Sequence, residues 1–166
     1  MPVVLGVAVS NSPLLYRPRA RWDDIYRQLI KDVAQPNRAE TETAETLDDY
    51  AKRVEAGFGE LQKQLVAAKP DAVVVLSSDR GRVFNDTQVP QLSVYVGEEI
   101  WGTTHHAEIG ESPSDGELVT LACHTDISAW LADELTEEKF DVNISRFFKP
   151  MGAPEDGVGQ ALTEPV

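Results

Sequence analysis

The sequence predicts an α/β protein with a layered, largely parallel central sheet and flanking helices. Three observations carry that expectation. Short apolar runs bounded by turn residues recur at 3–9, 72–76, 91–96 and 140–144, as buried strands do. A long amphipathic stretch separates the first two runs, and parallel neighbours need such a crossover. Hydrophobic content of 42% and charged content of 26% are ordinary for a globular chain with a core.

The first strand is Val3-Val4-Leu5-Gly6-Val7-Ala8-Val9, opening into Ser10-Asn11-Ser12-Pro13. Trp22, Ile25, Tyr26, Leu29 and Val33 share one face of a helix over 22–33, and Gln35-Pro36-Asn37 breaks it. A longer helix starts near Thr46. Its apolar positions Leu47, Tyr50, Val54, Phe58, Leu61 and Leu65 recur at steps of three and four up to Lys69-Pro70. The second strand, Ala72–Leu76, opens into Ser77-Ser78-Asp79-Arg80, and a polar connection with Val83 and Phe84 as apolar anchors leads to a third strand at 91–96. Residues 98–116 show no period and read as a long surface excursion. Thr125 or Asp126 caps a helix carrying Ile127, Trp130, Leu131 and Leu135, and Phe140–Ile144 alternates as a fourth strand. From Lys149 onward Pro, Gly and acidic residues dominate. The expected organisation is one domain over 1–166, with a second reading in which it is the N-terminal part of a longer domain.

Fifteen Lys and Arg against 28 Asp and Glu give a net charge of −13. That balance repels phosphate backbones and anionic lipid, so neither a nucleic acid nor a membrane is an expected partner. No apolar run approaches the ~20 residues of a membrane span. The first nine residues read as a strand rather than a signal peptide. The single cysteine, Cys123, excludes an internal disulfide and suits a reducing cytoplasm, the expected location.

In open α/β sheets ligands sit beyond the carboxyl ends of strands, which directs attention to the tips at Asn11-Ser12 and at Arg80. Each has a plain structural reading as a turn, since Asn and Ser hydrogen-bond nearby backbone. Arg17, Arg19 and Arg21 form a basic cluster after the first tip and suit either a carboxylate ligand or a solvated loop. His105, His106 and His124 are the only histidines. With Glu108, Glu111 and Asp115 nearby they form an alternative metal set, although adjacent histidines in extended chain point apart. Cys123 beside His124 reads as a small residue near a helix start.

The two tips together resemble those of the class III extradiol ring-cleavage dioxygenases, the protocatechuate 4,5-dioxygenase type. In that family the first tip reads Ser-His-x-Pro and the second Asp-His, and both histidines bind ferrous iron. Asn11 and Arg80 stand at those positions here. Phe84, Asn85 and Pro90 follow the second tip as the family pattern does, and Ser145-Arg146-Phe147 resembles the run before an Asp-His-Gly turn. That turn is matched by Pro154-Glu155-Asp156-Gly157, with Asp156 where the family's active-site histidine would stand. The family's remaining iron ligand, a glutamate in a later half, has no counterpart. An amide is a poor iron ligand and a guanidinium cannot be one.

The resemblance therefore implies a non-catalytic dioxygenase-like subunit or binding domain associated with aromatic-ring cleavage, with Asn11, Ser12, Arg80 and Asp156 as ligand-binding positions, no catalytic residue and no cofactor. It further implies a homo- or hetero-oligomer with a related dioxygenase subunit and a small aromatic ligand. One alternative is an active Fe(II) extradiol dioxygenase acting on a catechol-like or aminophenol-like ring, with iron ligands displaced to His105, His106 or His124. Another is a structural or regulatory interaction domain.

Overall fold

The computed structural model describes residues 2–31, 33–77, 90–146, 157–158 and 160–164. Its character is mixed α/β, in two compact units: residues 1–73 with 107–110, and residues 74–106 with 111–166.

The first unit is helical. Helix α1 spans Trp22–Ile30 and ends at Lys31, whose φ is +46°. A single turn, α2, follows at Arg38–Thr41. Helix α3 runs Ala44–Ala68; the Thr43 hydroxyl caps it by accepting from the Thr46 amide at 3.2 Å, and Lys69 closes it in the left-handed conformation. The small core of this unit gathers Trp22, Ile25, Leu47 and Ile109, with Ile25 wholly inaccessible. Arg38 clasps α1 to α2. Its guanidinium lies 3.7 Å from the Tyr26 ring centroid, with Nη2 2.8 Å from Asp23 Oδ1 and Nε 2.8 Å from Glu42 Oε2.

The second unit holds two two-stranded sheets. Strand β1 (Leu92–Tyr95) pairs in parallel with β4 (Val142–Ser145), Leu92 against Val142 and Tyr95 against Ser145. Helix α4 (Thr125–Glu137) packs on both strands, with Ala132 buried; a parallel pair needs such a covering crossover. The second sheet is antiparallel, β2 (Glu99–Thr103) with β3 (Leu118–Ala122). A C-terminal segment returns to β2, where Val158 bridges Gly102 and its amide donates to the Trp101 carbonyl at 2.8 Å. Helix α5, Gln160–Thr163, follows.

The expected helices at 22–33 and 46–68, the helix capped near residue 125 and the strands at 91–96 and 140–144 all form, with small shifts of boundary. Two expectations are corrected. The 98–116 excursion contains a strand, β2, and half of an antiparallel pair; the 14 residues separating its strands, Thr104–Glu117, far exceed an ordinary hairpin loop of two to five, so no turn signal joins them. The other correction concerns the runs at 3–9 and 72–76. Among the described residues neither run belongs to a strand and neither carries a backbone hydrogen bond, and no large central sheet forms. Strand-forming side chains make a strand only where a second edge meets their N–H and C=O groups. No helix among the described residues is long and apolar enough to cross a membrane.

Candidate functional site

The first tip is built by short-range bonds. The Ser12 amide donates to Ser10 Oγ at 3.2 Å and the Tyr16 hydroxyl donates to the Ser10 carbonyl at 2.7 Å. Pro13 opens a 3-10 turn over Pro13–Tyr16, and its preset φ suits that first position. Asn11 and Ser12 are half-buried here. The turn reading is thus satisfied locally, and the same turn carries Ser12 to the rim of an open groove.

That groove, of about 620 Å³, is lined by Leu14, Leu15, Trp22, Tyr50 and Val54, with Ser12 and Arg53 as its polar members. The Arg53 guanidinium lies 5.7 Å from the Tyr50 ring centroid and 4.0 Å from Asp49. Trp22 is fixed by its indole N–H, which donates to the Arg17 carbonyl at 3.0 Å. Sequence reasoning missed Trp22, Tyr50 and Arg53. Tyr50 and Arg53 lie three apart on α3 whereas Trp22 opens α1, and only the turn at Pro13–Tyr16 beside them makes a groove wall of the three.

The basic cluster is largely engaged. Arg17 Nη1 donates to the Tyr16 carbonyl at 2.9 Å. Arg19 Nε lies 3.0 Å from Asp48 Oδ1, and its guanidinium stands 5.7 Å from the Trp22 ring centroid. Arg80 and Asp156 lie outside the described residues.

The three histidines take separate roles. His105 is buried with Nδ1 2.5 Å from Thr103 Oγ1. His106 is wholly buried, and its Nε2 lies 3.1 Å from Glu164 Oε1. Its backbone amide donates to Glu111 Oε2 at 3.0 Å. His124 is exposed at the start of α4. Of the neighbouring carboxylates, Asp115 accepts from the Ser112 amide at 2.8 Å in a capping turn. Among the described residues no three His, Cys, Asp or Glu side chains converge as a metal site. The donor set at the first tip, an amide and hydroxyls, does not fit ferrous iron, which takes imidazole and carboxylate.

Among the described residues of the second unit, Cys123 and Tyr95 are perturbed acids. Burial, reinforced by Glu99, pushes the Cys123 thiol up. Burial also raises the Tyr95 phenol, with Cys123 and Glu99 adding to it, and that hydroxyl donates to the Glu99 carbonyl at 2.6 Å. A raised thiol pKa removes the thiolate that nucleophilic chemistry needs.

No family model, curated protein or solved structure matches the chain.

Proposed function

We propose that this chain is a non-catalytic, dioxygenase-like subunit or binding domain that holds a small aromatic ligand. The observation that carries the reading is the Asn11-Ser12 tip beside the groove walled by Trp22 and Tyr50. The tip offers an amide where the resembling family has an imidazole, and the groove offers aromatic walls and one guanidinium. A flat ring gains from the apolar walls. A ligand carboxylate gains from Arg53, the more so on a chain of net charge −13 that is otherwise unwelcoming to anions. Arg80, at the matching position of the second run, adds positive charge and removes the second iron ligand. Asp156 stands for the family histidine as an acceptor.

On this reading the scaffold is that of the family's layered, largely parallel sheet. The protein acts in the cytoplasm within aromatic-compound catabolism, as a partner of a related subunit or of its own kind.

Titration with 4-hydroxybenzoate, followed by tryptophan fluorescence, tests the ligand reading. The expected result is saturable quenching that is weakened about tenfold or more by Arg53→Ala, the loss of a charge-assisted contact of roughly 1.5–3 kcal/mol. Quenching unchanged by Arg53→Ala and by Tyr50→Ala together would remove the groove from the account.

A further inference from the structure

We propose that the C-terminal segment carrying Val158, Thr163 and Glu164 is a strap that lifts from β2 as a unit and so gates solvent access to the His106 imidazole. The ring nitrogen Nε2 is hidden with the strap seated and open to water with it raised. The inference lies wholly within the second unit and does not rest on what the groove of the first unit binds.

The strap is seated lightly in its backbone and specifically in its side chains. Among the described residues its backbone meets β2 at one isolated bridge, Val158 to Gly102, where the Val158 amide donates to the Trp101 carbonyl at 2.8 Å. The β1–β4 and β2–β3 pairs run instead as continuous ladders along their strands. Further along, side chains hold it: the Thr163 hydroxyl donates to the Thr103 carbonyl at 3.0 Å, and Glu164 Oε1 lies 3.1 Å from His106 Nε2. Helix α5 between them has four residues, far below the ~12–15 at which a helix stands alone, so it owes its form to this seat. A segment with a single bridge in place of a ladder opens at a lower free energy than the paired strands around it.

The seat is also closely fitted. Gly157 has a φ of +66°, and a Cβ there would strike the Trp101 carbonyl oxygen. Val158 is 4% exposed and Thr163 2%, and His106 beneath them has no accessible surface. Lifting the strap takes Glu164 from the His106 ring, but water then reaches Nε2 and replaces the carboxylate. Opening therefore exchanges one hydrogen bond for another and leaves no orphaned ring nitrogen.

Diethyl pyrocarbonate labelling of the full 166-residue chain, resolved by residue with mass spectrometry and run beside amide hydrogen exchange, is the test. His124, exposed at the start of α4, sets the rate of an open imidazole. The expected result is that His106 reacts far more slowly than His124, yet faster than global unfolding, read from the β1–β4 amides, allows. Thr163→Val and Gly157→Ala keep the Glu164 carboxylate, and each is expected to raise the His106 rate by about fivefold or more while the β1–β4 amides stay as protected as in the parent. Thr163→Val removes one hydroxyl and carries the test should Gly157→Ala disturb the whole unit. The inference is overturned by a His106 as reactive as His124 in the parent, by His106 labelling that accelerates only together with the β1–β4 amides, or by a rate indifferent to both substitutions. Iron content and ligand quenching do not enter this result, so its failure leaves the functional reading to its own tests.

Discussion

His106 Nε2 and Glu164 Oε1 lie 3.1 Å apart, the imidazole wholly inaccessible and the carboxylate nearly so. Two residues 58 positions apart in sequence thus tie the C-terminal helix to the end of β2, assisted by the Thr163 hydroxyl donating to the Thr103 carbonyl at 3.0 Å. Glu164→Ala leaves a buried polar ring without this partner. It is expected to cost about 1–3 kcal/mol in urea unfolding, while Glu164→Gln, which keeps a hydrogen-bonding group, costs less. Equal stability of Glu164→Ala and the parent would show that the pair holds nothing.

The same attachment depends on a glycine. A Cβ on Gly102 would stand 2.6 Å from the Val158 carbonyl oxygen and 3.0 Å from Thr163 Cγ2, and backbone cannot yield as a flexible side chain does. Gly102→Ala is expected to loosen the C-terminal segment, read as faster hydrogen exchange at the Val158 amide than at the amides of the β1–β4 pair. Uniform acceleration across the unit would instead indicate global destabilisation.

Cys123 carries a pH prediction. Its thiol is pushed above the ordinary value of 9.0, first by burial and then by Glu99. Below that value both folded and unfolded thiols are neutral and the group has no effect. As pH rises past it the unfolded thiol ionises first, so stability falls until the folded thiol ionises too. Disulfide-exchange labelling of the folded protein near pH 9 should lag behind the urea-unfolded chain, and Glu99→Gln should narrow the gap.

Arg38 gives a contrast between chemistry and charge. Its pKa is raised by the Glu42 hydrogen bond, with Asp23 adding to it despite some desolvation. Arg38→Lys keeps the charge but loses both the planar stack on Tyr26 and the two-carboxylate fork. The pair is near the surface, so the expected loss in thermal or urea unfolding is below about 1 kcal/mol. A larger loss would mean that the clasp organises α2 as a whole.

Helices were the most legible part of the fold. The three-and-four spacing of Leu47, Tyr50, Val54 and Phe58, stopped by Lys69-Pro70, locates α3 with little error, because amphipathic period and end signals are local properties. The runs at 91–96 and 140–144 were legible as strands, and α4 between them explains their parallel pairing. The run at 3–9 shows where composition stops: Val-Val-Leu-Gly-Val-Ala-Val has strand chemistry, but a ladder needs a partner that local sequence does not name. β2 and β3 were missed for the converse reason, since Ile100-Trp101 and Leu118–Leu121 are separated by too long a loop to announce a hairpin. At the site, Asn11 and Ser12 were identified from their place after a strand-like run. Trp22, Tyr50 and Arg53 become neighbours of Ser12 only through the turn at Pro13–Tyr16, a tertiary fact with no sequence signal of its own.

We propose that this chain does not perform iron-dependent ring cleavage, since Asn11 and Arg80 stand at the sequence positions where the family it resembles has two iron-binding histidines. Anaerobic reconstitution with Fe(II), followed by removal of free metal and measurement of iron per chain, tests it most directly. The account predicts iron far below one per chain and no ring-opened product from a catechol. One tightly held iron per chain, with turnover lost on replacing His105, His106 and His124 together, would contradict it.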